Sequence, residues 1–283
     1  MAELSVYDKV RRTRQNGRAT ALDYIENIFT DFTELHGDRR FADDHAVVGG
    51  IAYLGDMPVT VIGTEKGRNI RERAYRNFGC VMPEGYRKAL RLMKEAEKFH
   101  RPVICFVDTQ GADCKKGAEE RGAGQAIAEN LYEMSGLKTP ILSVMIGEGG
   151  SGGALALAVA DSVWMLENAY YSVITPEACA SILFKDASRA PEAAERLKLT
   201  AHDLYDMQVT EKIVKEPESF TDKEAFDKFM QELKKEMHAE VKKLLHRPDA
   251  ELLNARYEKF RKIGRYEAYS VEHKPERKRF FHL

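Results

Sequence analysis

The fold turns on the stretch Pro140-Ile141-Leu142-Ser143-Val144-Met145-Ile146-Gly147-Glu148-Gly149-Gly150-Ser151-Gly152-Gly153-Ala154. Its first half, Pro140 to Ile146, is short, apolar and β-rich, and reads as a buried strand. Gly147 to Gly153 reads as a glycine loop, and the apolar run Ala154 to Ala160 as a short helix. Ser162 to Leu166 reads as the next strand. Upstream, Pro102 to Val107 is another buried strand, followed by a helix over 117–135. Strand, helix, strand, helix, strand is the pattern of parallel βαβ units, so the expected class is α/β with a mostly parallel sheet.

Five glycines in the seven residues from Gly147 to Gly153 let a backbone approach a ligand closely and adopt positive φ. Free N–H groups at the start of the following helix suit a negative oxygen. Three templates fit. Gly147, Gly149 and Gly152 satisfy GxGxxG, with Glu167 twenty positions beyond Gly147, the dinucleotide spacing. Gly149, Ser151 and Gly153 satisfy GxSxG, which would make Ser151 a nucleophile. The third is an oxyanion hole of backbone amides with no reacting side chain. A P-loop fails, because no Lys-Ser/Thr follows. Close helix–strand packing alone calls for fewer than five glycines. Asp108-Thr109-Gln110-Gly111-Ala112 follows the preceding strand, so Gly111 and Ala112 add amides at the same sheet edge, which suits the oxyanion reading.

Outward from this centre, the 283 residues carry 44 basic and 45 acidic side chains, a net charge of -1 that gives no drive toward nucleic acid or anionic membrane. The 43% hydrophobic and 31% charged content excludes disorder. No apolar run spans a bilayer, and the N-terminus shows no secretory pattern. None of the four cysteines (Cys80, Cys105, Cys114, Cys179) forms a CxxC pair, so neither disulfides nor a zinc site is expected and a reduced, cytoplasmic setting fits.

Residues 1–19 read as a loosely attached basic arm. Thr20 caps an amphipathic helix running to Gly37, with Leu22, Ile25, Ile28, Phe29, Phe32 and Leu35 on one face. Val47 to Leu54 and Val59 to Gly63 form a hairpin, Lys66 to Gly79 a basic loop, and Pro83 opens a long helix. From Pro176 onward the pattern is helical, with helices at 221–245 and 249–263 and a basic-aromatic tail from His273 to Leu283. The expected division is an arm and helix at 1–40, a core at 41–217, and C-terminal helices and tail at 218–283. The helices at 20–36 and 221–245 carry enough apolar positions to suggest subunit interfaces.

Several runs in order resemble a known family. They are Gly37-Asp38-Arg39, Val48-Gly49-Gly50-Ile51, Lys66-Gly67-Arg68, Asn77-Phe78-Gly79, Pro83-Glu84-Gly85-Tyr86-Arg87-Lys88-Ala89-Leu90-Arg91-Leu92-Met93, Gly117-Ala118-Glu119-Glu120-Arg121-Gly122, Ile146 to Ala156, Tyr171-Ser172-Val173-Ile174 and Pro176-Glu177. Together they look like the α subunits of bacterial acetyl-CoA carboxylase carboxyltransferase. The resemblance implies a crotonase-like (ClpP-like) spiral of ββα units flanked by N- and C-terminal helices. It implies an α2β2 complex with a zinc-ribbon β subunit, the metal lying on that partner and none on this chain. It also implies carboxyl transfer from carboxybiotin on a biotin carboxyl carrier protein to acetyl-CoA, giving malonyl-CoA for fatty acid synthesis. Gly152 and Gly153 match the family's oxyanion hole, Gly111 and Ala112 its neighbouring loop, and Gly149, Gly150 and Ser151 line the approach. The segment Gln110-Gly111-Ala112-Asp113-Cys114-Lys115 departs from the family's proline- and aromatic-bearing pattern. Two alternatives therefore stand beside the main reading: a paralogue acting on another acyl-CoA, or a non-catalytic scaffold subunit.

Among single residues, Lys66 and Arg68, with Arg71 and Arg73, are candidates for CoA phosphates or the β subunit, or else a solvated face. Glu148 reads as a loop-fixing carboxylate rather than a general base. Glu119, Glu120 and Arg121 read as structural ion-pair residues, Cys114 as an exposed spectator thiol and Trp164 as core. His202 is the only well-placed partner for a Ser151 nucleophile.

Overall fold

A computed structural model describes residues 4–264; the tail from His273 to Leu283 lies outside the described residues. The helices are α1 Val6–Thr13, α2 Ala21–Ile28, α3 Ile70–Tyr75, α4 Pro83–Lys98, α5 Lys116–Glu120, α6 Ala123–Gly136, α7 Ser151–Leu155, α8 Pro176–Phe184, α9 Ala190–Leu197, α10 Ala201–Asp206, α11 Lys223–Leu245 and α12 Asp249–Lys262. The strands are β1 Thr30–Glu34, β2 Val47–Leu54, β3 Met57–Thr64, β4 Val103–Thr109, β5 Ile141–Gly150, β6 Ser162–Leu166, β7 Tyr170–Ser172 and β8 Lys212–Val214. They form one sheet in the order β1-β2-β3-β4-β5-β6-β8, with β7 paired to β5. The β1-β2-β3 edge is antiparallel and every later pairing is parallel.

The sheet is covered on both faces, and the alternation of β3 shows how. Ile62 pairs with Gly49, whose bare Cα lets Leu92 of α4 sit close, while the next residue, Gly63, lies against Ala21 of α2. Side chains one residue apart point to opposite faces, so α2 and α4 flank opposite faces of the sheet. Tyr24 of α2 stacks on Phe106 of β4 at 5.2 Å and makes a T-shaped pair with Phe229 of α11 at 6.3 Å. One apolar cluster runs continuously from Ala19 to Val241 through the sheet.

Several expectations are corrected. The helix expected to reach Gly37 stops at Ile28. Phe29 is extended (φ -107°, ψ 162°), and β1 then pairs Thr30 with Tyr53 and Thr33 with Ile51. Sheet hydrogen bonds along β2 override the apolar period. The basic loop contains α3, capped by Asn69, whose side chain accepts from Arg71 and Glu72 N–H. The helix over 117–135 breaks at Gly122 (φ 81°). β7 and β8, three residues each, carry no readable period.

The arm is not loose. Val10 is fully buried with Tyr170 and Leu199, and Arg18 pairs with Glu216 at 2.7 Å. The apolar faces of α2 and α11 are likewise used inside the chain: Tyr24, Ile25 and Ile28 are buried, as are Phe229, Leu233, Met237 and Val241. They supply no argument for a subunit interface. No helix among the described residues is long and apolar enough to cross a membrane.

Candidate functional site

The glycine stretch is largely strand. β5 runs through Gly150, with Leu142–Met145 pairing β6 and Glu148–Gly150 pairing β7. Helix α7 starts at Ser151, earlier than the expected Ala154, and ends at Leu155. The expected positive φ is also misplaced: none of Gly147, Gly149, Gly150, Gly152 or Gly153 has it, whereas Ser151 does (φ 51°).

What the glycines provide instead is closeness. A Cβ on Gly147 would run into the Asp108 carboxylate, and one on Gly150 into the Gln110 carbonyl. On Gly149 it would lie 2.8 Å from the Tyr170 carbonyl, and on Gly153 2.6 Å from the Ala112 nitrogen. Packing, set aside from the sequence, therefore accounts for four of the five glycines. Its result is that segment 110–112 lies directly against segment 150–153. Gly111 and Gly152 differ from the rest. A Cβ on Gly111 meets nothing within 4 Å, and one on Gly152 meets only Ile127, at 3.7 Å. Both are half-buried, and Ser151 between the strand and the helix is exposed. The first-turn amides of α7 have no partner within the helix.

Beside these loops is an open cleft of about 370 Å³ lined by Thr13, Arg14, Lys66, Arg73, Phe78, Gln110, Glu148, Thr175 and Glu177. Its floor is a chain of ion pairs. Lys66 Nζ lies 2.6 Å from Asp108 Oδ1 and 2.7 Å from Glu148 Oε1. Arg14 Nε donates to Glu148 Oε2 at 2.9 Å, and its Nη1 to Glu177 at 2.6 Å. The Tyr170 hydroxyl donates to Glu148 at 2.7 Å, and Glu148 N–H donates to Asp108 Oδ1 at 2.7 Å. Burial would push the Glu148 carboxyl up, but Lys66, Arg14 and the Tyr170 hydroxyl bring it down to about 2. Burial opposes the charge on Lys66 too, yet its two carboxylates push the ammonium above its ordinary value. Burial raises the Tyr170 phenol.

Glu148 thus fixes the loops, as expected. Lys66 is not a free phosphate ligand, because both of its close partners are carboxylates of this chain. Arg68 is engaged too, with Asp23 and Glu26 at 2.8 and 2.7 Å. Arg121 pairs with Glu84 at 2.6 Å rather than with its neighbours Glu119 and Glu120. Cys114 is exposed and Trp164 is core.

Ser151 has the strained turn of a nucleophile elbow, but no histidine hydrogen-bonds to it among the described residues, and His202 is exposed on α10. Glu167 accepts Glu216 N–H at 2.9 Å, which gives it a structural partner in place of a ribose. Among the described residues no cluster of His, Cys, Asp and Glu could hold a metal. Sequence reasoning missed Arg14, which is 134 positions from Glu148 and has no local signature.

A family model described as acetyl co-enzyme A carboxylase carboxyltransferase-like matches residues 1–264. The carboxyl transferase subunit alpha of Ruminiclostridium cellulolyticum acetyl-coenzyme A carboxylase is 58% identical over 261 residues, 92% of this chain and 98% of that one. The corresponding subunit of Streptococcus equi subsp. equi is 58% identical over 253 residues, 89% of this chain and 97% of its own. A protein of Natranaerobius thermophilus named as subunits beta/alpha is 57% identical, and this chain spans 44% of its length. Among solved structures, a transcarboxylase 12S chain superposes with a TM-score of 0.61 at 16% identity, covering 92% of this chain and 44% of that one. A chain of a Pseudomonas malonate decarboxylase hetero-tetramer in complex with coenzyme A gives 0.60 at 16% identity, covering 77% and 86%. These similarities identify the α/β architecture as crotonase-like.

Proposed function

This chain belongs to the acetyl-CoA carboxylase carboxyltransferase family, among its α subunits, and from that premise we propose how its site works: residues 41–217 carry the core that moves a carboxyl group from carboxybiotin on a biotin carboxyl carrier protein to acetyl-CoA, giving malonyl-CoA. The enzyme class is biotin-dependent carboxyl transferase. The partner in this reading is a zinc-ribbon β subunit in an α2β2 complex, which supplies much of the acyl-CoA site.

Carboxybiotin, when bound, supplies the activated carboxyl group. The chain's contribution is electrostatic. The amides of Gly152 and Gly153 in the first turn of α7 face developing negative charge on a carbonyl oxygen, and Gly111 and Ala112 border them. Preorganised donors of this kind are worth about 3 kcal/mol each in the transition state. Gly149 and Gly150 keep the strand end close to Gln110, and Ser151 forms the turn without reacting. The observation that carries this reading is the pair of open glycines: Gly111 and Gly152 sit on touching segments and leave room where side chains would be. Packing calls for glycine at neither position; the backbone calls for it at Gly111, whose φ is 147°, but not at Gly152.

The test is co-expression with the zinc-ribbon β chain of the same genome. Malonyl-CoA formation is assayed with a carboxylated biotin carrier, with propionyl- and butyryl-CoA alongside, and malonyl-CoA decarboxylation with biocytin. Malonyl-CoA as the main product is expected. A preference for a longer acyl-CoA points to a paralogue, and a complex without turnover points to a scaffold.

A further inference from the structure

Asp108 and Glu148 are needed where they are and are electrostatically unwelcome there. Asp108 accepts the Glu148 N–H, and Glu148 accepts the Tyr170 hydroxyl, so the two carboxylates hold the ends of β4, β5 and β7 together. Yet Asp108 is three residues before Gly111 and Glu148 four before Gly152. At about 3.3 Å per residue, the backbones of both residues lie no more than roughly 10–13 Å from the proposed oxyanion amides. A carboxylate at that distance opposes a developing negative charge. With an effective dielectric constant of about 20, each uncompensated one slows the reaction by about tenfold.

We propose that Lys66 is a positioning residue that makes the carboxylate pair compatible with oxyanion chemistry. Its single ammonium bridges Asp108 and Glu148 and cancels charge beneath the amide site. This rests on the carboxyltransferase reading above. Lys66 is placed for the task by the close approach of Gly79, where a Cβ would lie 2.8 Å from its Cγ. Arg14 shares the work on the other side of Glu148, but it divides its charge with Glu177 and is 34% exposed, against 16% for Lys66. The remaining groups around Glu148 do not substitute for Lys66. Tyr170 stays neutral, Tyr7 donates to Glu177, Arg18 is committed to Glu216, and Arg73 only lines the cleft.

The charges dictate a signature that a merely structural lysine lacks. In Lys66→Met the Glu148 carboxyl loses the ammonium that holds it low and binds a proton more tightly. The extra negative charge is then present at high pH and removed at low pH. In the α/β complex, Lys66→Met should lower kcat by about 10- to 100-fold at pH 8 with KM for acetyl-CoA little changed, and the deficit should shrink as pH falls. Lys66→Met/Glu148→Gln, with one of the two carboxylates neutralised, should recover about tenfold over the single variant. Thermal stability and α/β assembly are measured on each. Wild-type kcat in an assembled Lys66→Met complex overturns the proposal, as does a loss that is pH-independent and unrelieved in the double variant. If Lys66→Met does not assemble, the double variant decides: a loss of no more than about tenfold supports the proposal, and a greater, pH-independent loss overturns it. A wild-type complex that transfers no carboxyl group sinks the functional reading first and this inference with it.

Discussion

Two alanine substitutions one residue apart should separate packing from chemistry. A Cβ on Gly153 meets Ala112 N at 2.6 Å, the Gly111 carbonyl carbon at 2.8 Å and the Tyr86 hydroxyl at 2.9 Å. Two of these are backbone atoms, so the clash is relieved only by moving segment 110–112 off α7. Overpacking of this kind costs about 1–3 kcal/mol. Gly152 has no such neighbours, and its φ is not positive, so Gly152→Ala is free of strain. Within a helix turn it gains roughly 0.5–1 kcal/mol from reduced chain entropy. At about 2–4 °C per kcal/mol, the two variants should differ in Tm by roughly 3–16 °C, with Gly153→Ala the lower.

Activity should not follow that order. Gly152→Ala puts a methyl group where the donor's carbonyl oxygen is proposed to approach. A displacement of about 1 Å at such a centre costs on the order of 100-fold, and the loss should fall on kcat. The assays are differential scanning calorimetry of the α chain and malonyl-CoA formation by the α/β complex. A Gly152→Ala chain of full stability and full activity refutes the amide site at Gly152. A Gly153→Ala chain as stable as wild type refutes the packing account of the glycines.

Three further outcomes follow from the same structure. Ser151→Ala should keep most activity, a fluorophosphonate probe should leave the wild type unlabelled, and Ser151→Gly should raise stability by about 1 kcal/mol by relieving the positive φ. The Glu148 carboxyl is lower in the folded chain (about 2) than its ordinary 4.5, so it contributes stability above pH 4.5 that is lost as pH falls toward 2. Denaturant titration should show this loss, up to about 3 kcal/mol, and Glu148→Gln should flatten that window. Arg256 is buried, bridges Asp161 at 2.7 Å and donates to the carbonyls of Met134, Leu137 and Thr139. Arg256→Met should therefore cost about 3–5 kcal/mol by orphaning the Asp161 charge, read as a fall in Tm with no specific effect on KM.

The central strands were legible because each is a continuous apolar run buried on both faces, and α4, α11 and α12 because long amphipathic helices repeat their signal. β1 was not legible. Phe29, Phe32 and Leu35 continue the helical spacing of α2, and only the ladder to Tyr53 and Ile51 decides the matter. β7 and β8 exist through their pairing with β5 and with β6. The family was legible from ordered runs of residues, but the cleft floor was not. Lys66, Asp108 and Glu148 are 42 and 40 positions apart, and no local pattern foretells that they meet.

The misreading of the glycines shows how fold and function join here. A sequence shows only that side chains are missing; it does not show what fills the space. At Gly147 it is the Asp108 carboxylate, at Gly150 the Gln110 carbonyl and at Gly153 the Ala112 amide. Within residues 147–153 the positive φ falls on Ser151, where β5 becomes α7 and the chain must turn within a single residue. Seen this way, the amide surface follows from bringing two parallel strand ends into backbone contact. That contact in turn places Asp108 and Glu148 side by side, and the same closeness that builds an oxyanion site creates the charge problem that Lys66 answers. A side chain at any of the packed glycines would therefore disturb both at once, and one at Gly111 would strain its positive φ of 147°, whereas Gly152 can be changed without moving the strands. Gly152 is where substrate-facing effects can be measured free of the fold.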